Sequence, residues 1–307
     1  MSEETCEFVS SRGLLKSCDI YPPNPTSSTR SCYSHDWASL KPGATVYIHG
    51  SAMPHFIRAV WPIINVPIVI VSGDCDQTMP VDAFFSEHHF IAFLEDPRLI
   101  AWFSQNQIAV TAHPKVHSIP IGLDYHTLSV QEGHPWGSQQ SPKEQEEDLI
   151  LFRNAAPSDR ILKAYANFQF SMNTPFAKDR QEAIEQLDKE LVVYEETPVK
   201  RLVTWSKQTK YQFVISPHGG GLDCHRTWEA LALGCYPIVR VSPIVNLFKG
   251  LPVLIVNSWK DVTPELLRSF TEFWKKRPPP YEQLYLRFWT DRIREAVTDA
   301  LLASSPE

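Results

Sequence analysis

Three consecutive glycines stand between an apolar run and a helical pattern in the second half of the chain. Gly219, Gly220 and Gly221 follow the run FVIS, and the segment HRTWEALALG comes soon after them. Such a strand-to-helix turn, at the carboxyl end of a parallel strand, is where α/β folds bind ligands. Glycines permit positive φ and close approach to the backbone, and the helix N-terminus offers free N–H groups and partial positive charge. The pattern predicts a phosphate-binding turn.

Polar side chains beyond the turn narrow the choice of ligand. Asp223 is expected to cap the helix, and Arg226 and Glu229 are three residues apart and share one helical face. An arginine fork suits a diphosphate, and a carboxylate suits ribose hydroxyls. The turn lacks both the Gly-Lys-Ser/Thr of a Walker loop and the GxGxxG of a dinucleotide fold. We therefore predict a nucleotide-diphosphate site, with a tightly packed turn and a surface ion pair as the alternative.

Four further residues are candidates for the same site. His218 and His225 flank the turn and are expected either to line the cleft or to cap and pack. Asn173 and Arg180 follow the first predicted strand of the second half, where a loop would face the diphosphate. Arg180 is a second candidate phosphate ligand, and a solvated helix charge is its alternative role.

The segment SPHGGGLDCHRTWEALALGCYPIV resembles the donor-binding segment of exostosin-like glycosyltransferases, in which Arg and Glu on a helix follow a glycine turn and precede a G-C-x-P-V/I strand. The resemblance is strongest over residues 211–256, with weaker matches in NFQFSMNTPFAKDR, IVSGDCDQTMP and IPIGLDYHTL. Short exostosin-like enzymes of large algal viruses are the most similar members. The resemblance implies a GT-B fold, two Rossmann-like domains with a nucleotide sugar between them. It also implies an inverting transfer from a UDP-sugar, by analogy UDP-xylose, to a hydroxyl of a glycan or glycoprotein.

Acidic residues follow two predicted strands of the first half and are candidates for the base of such a transfer. Asp74 and Asp76 come directly after the run IVSG, and Asp124 and His126 come after VHSIPIG. A base must deprotonate the acceptor hydroxyl, and we expect Asp74 in this role with Asp76 and Asp124 as rivals. Asp74 and Asp76 also form a D-x-D pair, which holds a divalent metal in other transferases. Because Arg226 and the turn supply positive charge for the leaving group, no metal or other cofactor is expected.

The elements that position these residues alternate along the chain. In the first half, strands are predicted at 44–50, 66–73, 108–112 and 116–122, with helices at 53–64 and 96–106. In the second half, strands are predicted at 163–170, 211–216, 236–240 and 251–256, with helices at 179–190, at 200–208 and from 223. Alternation of nearly all-apolar strands with helices predicts an α/β fold with parallel sheets.

A polar stretch at 129–148 separates the two halves. Within it, Ser141, Pro142 and Glu144 form a predicted capping box, so a helix is expected to begin there. We predict an acceptor-binding domain at 1–140 and a nucleotide-sugar-binding domain at 141–280. A C-terminal helix at 281–307 is expected to pack back across the domain junction.

Composition limits the classes of partner. The chain has 307 residues, 43% of them hydrophobic, and its net charge of −6 argues against a nucleic-acid surface. No leader peptide or membrane span is recognised, so a cytoplasmic location is expected. Two alternatives stay open: a metal-dependent glycosyltransferase using Asp74 and Asp76, and a non-catalytic nucleotide- or glycan-binding protein.

Overall fold

The computed structural model describes residues 2–108 and 113–303. The strands are β1 Thr45–His49, β2 Ile68–Gly73, β3 Leu99–Ser104, β4 Val116–Ser118, β5 Ile161–Ala166, β6 Val192–Tyr194, β7 Tyr211–Ile215, β8 Tyr236–Arg240 and β9 Leu254–Val256. The α-helices are α1 Ser11–Lys16, α2 Met53–His55, α3 Glu87–Glu95, α4 His126–Val130, α5 Pro142–Asn154, α6 Ala177–Gln186, α7 Arg201–Gln208, α8 His225–Ala232, α9 Pro264–Lys276 and α10 Leu286–Ala303.

The strands form two parallel sheets. Within the described residues, the first sheet has the order β1-β2-β3-β4 and the second has the order β6-β5-β7-β8-β9. All neighbouring strands pair in parallel. The α/β class predicted from the alternating pattern is confirmed. The carboxyl ends of the strands in each sheet therefore lie along one edge, where loops can assemble a site.

Strand β3 occupies a segment that was predicted to be helical. The prediction of a helix at 96–106 is wrong, since Leu99–Ser104 pairs with both β2 and β4. All but one of its residues are buried, and a short, continuous apolar run fits a buried strand as well as a buried helix. The predicted strand at 108–112 falls on residues 109–112, which lie outside the described residues.

Local capping signals account for several helix starts. Ser141 and Glu144 form the predicted capping box at the start of α5. Helices α3 and α9, which were not predicted, also begin with side-chain caps, from Ser86 and Thr263 respectively. The predicted helices at 179–190 and 200–208 are confirmed as α6 and α7, each within a few residues of the expected bounds.

One apolar cluster contains residues from both sheets. Val71 and Phe103 of the first sheet belong to the same buried cluster as Val214 and Val239 of the second. Helix α10 lies against β2, β3 and α1, so the end of the chain packs on the first sheet. The carboxyl edges of the two sheets are thereby held next to each other. In the described part of the chain, no helix has the length and apolar character needed to cross a membrane.

Candidate anion site between the two sheets

The glycine turn lies at the carboxyl end of β7, as predicted. Strand β7 is flanked by β5 and β8, and helix α8 begins ten residues after the last residue of β7, at His225. Glycine permits positive φ, but none of these three glycines adopts it. The glycines instead permit close approach. A Cβ at Gly220 would overlap the carboxylate of Asp76, and one at Gly221 would lie 2.8 Å from Nδ2 of Asn106. The turn is therefore packed against the edge of the first sheet.

Hydrogen bonds fix the shape of the turn. Nδ1 of His218 lies 2.8 Å from the carbonyl oxygen of Leu222, and the Gly219 N–H donates to the Gly221 oxygen. Because a carbonyl only accepts, Nδ1 of His218 must carry the proton. The other ring nitrogen, Nε2, is buried and has no hydrogen-bond partner among the described residues. The Nδ1 contact of His218 closes the turn, in agreement with the packing role considered for this residue. Its Nε2 remains a buried polar atom without a hydrogen bond within the described residues.

Two arginines converge on the turn. Arg226 of α8 donates to the carbonyl of Pro217 (3.2 Å) and lies over the ring of Phe168. Arg180 of α6 donates to the carbonyls of His218 (3.1 Å) and Gln169 (2.7 Å). Within residues 2–108 and 113–303, neither guanidinium forms an ion pair with a carboxylate. Burial lowers the pKa of Arg226, and the nearby charge of Arg180 adds to that effect. The two charges therefore meet at the turn without an ion-paired carboxylate among the described residues.

Helix α8 adds an open N-terminus. Its N-cap residue is Cys224, whose side chain makes no capping hydrogen bond. The prediction that Asp223 caps this helix is wrong. Both Asp223 oxygens are engaged elsewhere, with the Ile121 N–H (2.8 Å), the Cys224 N–H and the Trp228 indole. Burial raises the pKa of Asp223 to about 6, against the opposing effect of these donors. Asp223 therefore joins the two sheets rather than capping α8.

Glu229 lies one turn along α8 from Arg226, but the two side chains do not pair in the described structure. Oε1 of Glu229 is 3.4 Å from Nη2 of Arg201, and Oε2 accepts from the Trp205 indole at 3.3 Å. The surface ion pair considered as an alternative is thus not formed. Asn173 is exposed in the loop between β5 and α6. Its surroundings give no reason to assign Asn173 a role in ligand binding.

The carboxylates of the D-x-D pair have different surroundings. Asp74 is 4% exposed, accepts from Ser27 Oγ at 2.7 Å, and faces Arg12 (3.5 Å) and His49 (3.6 Å). Asp76 is exposed beside Gly220. Among the described residues, no group of three or more His, Cys, Asp or Glu side chains is arranged to hold a metal ion. Of the two, Asp76 is the carboxylate that lies at the glycine turn.

Asp124, the third candidate base, is a buried and fully engaged carboxylate. Its oxygens accept from the Thr127 N–H (2.9 Å) and the Thr127 hydroxyl (2.7 Å) at the start of α4. His126 Nδ1 lies 3.3 Å from Oδ1, and Arg201 lies 3.9 Å from Oδ2. Burial opposes ionisation, but the charges of His126, His225 and Arg201 outweigh it and hold the pKa of Asp124 well below its usual range.

Some residues at this junction were not predicted. Asn106 lies two residues after the end of β3, accepts a hydrogen bond from the Asp223 N–H and donates one to the Cys75 carbonyl. Because residues 96–106 were predicted to form a helix, its position at the sheet edge was not recognised. Arg201 of α7 donates to the Asp124 carbonyl (2.7 Å) in the other half, and such contacts carry no local sequence signal. His225, a predicted candidate beside the turn, also contacts the first half, since its Nδ1 lies 2.8 Å from the Gly122 carbonyl.

No family model matches the chain, and no curated protein sequence matches it significantly. Among solved structures, the chain is similar to the N-terminal domain of trehalose-6-phosphate phosphatase from Candida albicans, at 10% identity and a TM-score of 0.35. The match covers 87% of this chain and 68% of that one. A similarity of this size identifies neither a family nor an activity. The function is therefore argued from the site.

Two surface pockets, of about 390 and 400 Å³, lie outside the junction. The first is lined by residues between Glu132 and Gln139 together with Lys200, and the second by residues of the N-terminal segment and α10. Neither lining includes a residue of the glycine turn. Neither pocket contains the convergent charges found at the turn, so the chemistry favours the junction between the sheets.

Proposed function

We propose that the chain is a glycosyltransferase that uses a nucleoside-diphosphate sugar, with the donor diphosphate held at the glycine turn. One observation carries the proposal: Arg180 and Arg226 converge on this turn, and the described residues provide neither with a carboxylate partner. An arginine fork binds phosphate oxygens in two parallel hydrogen bonds, and the open N-terminus of α8 adds N–H donors. A diphosphate fits both.

The surroundings of the anion site support a transfer reaction. In a metal-independent transfer, positive charge must stabilise the departing diphosphate while a base takes a proton from the acceptor hydroxyl. The arginines supply the charge. Asp76, Asp124 and His126 of the first sheet face the turn or the start of α8. The resemblance to exostosin-like enzymes agrees with this division, in which the second sheet binds the donor and the first sheet the acceptor in a GT-B arrangement.

A nucleotide-sugar panel tests the proposal. We expect at least one UDP-sugar, UDP-xylose being the first choice, to raise the melting temperature in EDTA. Arg226→Gln should abolish the shift, whereas Arg287→Gln, which changes an exposed arginine of α10, should retain it. UDP release with a panel of methyl glycosides as acceptors then measures transfer.

The same panel separates the alternatives. Turnover that needs Mn²⁺ and is lost in EDTA would favour the metal-dependent enzyme. Binding without UDP release, either to acceptors or to water, would favour a non-catalytic nucleotide-binding protein. If no UDP-, GDP- or ADP-sugar shifts the melting temperature, the proposed function is wrong.

A further inference from the structure

A histidine and a buried aspartate lie next to each other at the edge of the first sheet, directly opposite α8. Nδ1 of His126 is 3.3 Å from Oδ1 of Asp124. This nitrogen is buried and forms no hydrogen bond within the described residues, so its contact with the Asp124 carboxylate is electrostatic. The His126 ring lies 6.0 Å from the ring of His225, the first residue of α8. The pair therefore sits at the end of α8 where the donor diphosphate is proposed to bind.

Asp124 is built to orient this histidine. Thr127 donates its N–H and its hydroxyl to the two carboxylate oxygens, so the carboxylate cannot rotate freely. Arg201 donates to the Asp124 carbonyl and lies 3.9 Å from Oδ2, while also contacting Glu229 of α8. An ionised carboxylate facing Nδ1 favours the tautomer with the proton on that nitrogen, which leaves the lone pair on Nε2.

The other candidate bases are less suited to proton transfer. The carboxylate of Asp74 is buried against Arg12, His49 and Ser27, and its backbone adopts a φ of +52°. Its contacts join the first helix, the first strand and the loop after the second strand, so its role in the structure is to hold these segments together. Asp76 is exposed, and no hydrogen bond or ion pair within the described residues orients its carboxylate. His126 is the candidate with an orienting group.

We propose that His126 is the general base of the transfer and that Asp124 is its positioning residue, an inference that rests on the proposed function. Nε2 takes the proton of the acceptor hydroxyl as the acceptor oxygen forms a bond to the anomeric carbon. The bond between that carbon and the diphosphate oxygen breaks, and the nucleoside diphosphate leaves with the electron pair. The imidazolium faces the Asp124 carboxylate and returns its proton to solvent after the products depart.

The surroundings of His126 set the direction of its pH dependence. The charged and titratable groups facing it are Asp124 on its own segment, Asp74 after β2, Arg12 of α1 and His225 of α8. Burial lowers the pKa of His126, Arg12 and His225 lower it further, and the two aspartates oppose them without reversing the shift. His126 is therefore neutral at pH 7, and kcat/KM should fall as the pH drops through a value below 6.5, the ordinary pKa of histidine.

The test separates donor binding from proton transfer. We expect His126→Gln to bind UDP within about threefold of wild type by calorimetry but to lose at least about 100-fold in kcat/KM for UDP release. The control His88→Gln changes an exposed histidine of α3 and should retain wild-type turnover. Imidazole added to His126→Gly should restore part of the lost rate. This second variant tests the role of His126 even if His126→Gln folds poorly.

A positioning role for Asp124 has its own signature. In Asp124→Asn, one of the carboxylates that raises the pKa of His126 is gone, so the acidic limb of the pH profile should move to lower pH. An aspartate with only a structural role would change the amount of folded protein and leave the limb in place. UDP binding combined with wild-type turnover in His126→Gln, or a 100-fold loss in Asp76→Asn instead, would overturn the inference. Absence of UDP binding by wild type would overturn the proposed function as well.

Discussion

Replacement of Gly221 by alanine tests the contact between the glycine turn and the first sheet. A Cβ at Gly221 would lie 2.8 Å from Nδ2 and 2.9 Å from Oδ1 of Asn106. Asn106 is buried, accepts from the Asp223 N–H at 2.9 Å and donates to the Cys75 carbonyl at 3.2 Å. Because its amide is held at both ends, Asn106 cannot move without losing these hydrogen bonds, of which the one from Asp223 joins the two halves.

The neighbouring glycine supplies a matched control. A Cβ at Gly220 would overlap the carboxylate of Asp76, which is the exposed end of a side chain that can rotate away. Neither glycine has a positive φ, so alanine strains the backbone at neither position. Two lost hydrogen bonds at about 1 kcal/mol each, plus an unpaired buried N–H, give roughly 3 kcal/mol for Gly221→Ala. Gly220→Ala should cost about 0.5 kcal/mol or less.

Urea unfolding followed by circular dichroism measures both variants in the wild-type and Asn106→Gly backgrounds. Glycine suits position 106, where φ is +50°, and it removes the side chain that Gly221→Ala displaces. The cost of Gly221→Ala should therefore fall below about 1 kcal/mol in the Asn106→Gly background. Equal costs for the two alanine variants, or an undiminished cost of Gly221→Ala beside Asn106→Gly, would refute the packing argument.

Two further predictions concern buried charges at the junction. Since burial raises the pKa of Asp223 to about 6 from 3.8, its protonated form stabilises the fold at low pH, and this contribution is lost between about pH 4 and 6. The difference in unfolding free energy between wild type and Asp223→Asn should fall by up to about 3 kcal/mol from pH 4 to 6.5. A difference that does not change with pH would contradict this prediction. Arg201→Gln should destabilise by about 3 kcal/mol because Asp124 and Glu229 lose their shared partner, whereas Arg287→Gln should have little effect in the same urea titration.

Elements with a local signal were predictable from the sequence. The capping box of Ser141 and Glu144 correctly predicted the start of α5. The apolar runs at 44–50 and 66–73 correctly predicted strands β1 and β2. Strand β3 was predicted wrongly because a short, almost fully buried run has no periodicity that separates a strand from a helix. Strand β6 is only three residues long, and a strand of that length leaves no recognisable run. The order of strands in the sheets came from the structure alone.

The position of the glycine turn could be predicted from the sequence, but its packing could not. Its place at the carboxyl end of β7 followed from the strand and helix patterns on either side. Its packing against Asp76 and Asn106 did not, because those residues lie more than 100 positions away in the chain. For the same reason Asp223 was expected to cap α8, although its carboxylate bonds to Ile121 of the other half. The roles of these polar side chains depend on contacts with residues far away in the sequence, which local patterns do not reveal.

The most direct test of the proposed diphosphate site is calorimetric titration of UDP into wild type, Arg226→Gln and Arg287→Gln, all in EDTA. We expect wild type and Arg287→Gln to bind UDP with equal affinity. Arg226→Gln should bind at least about tenfold more weakly, since a charge-assisted hydrogen bond to phosphate contributes about 1.5–3 kcal/mol. Equal binding by Arg226→Gln, or no binding of UDP, GDP or ADP by wild type, would contradict a diphosphate site at the glycine turn.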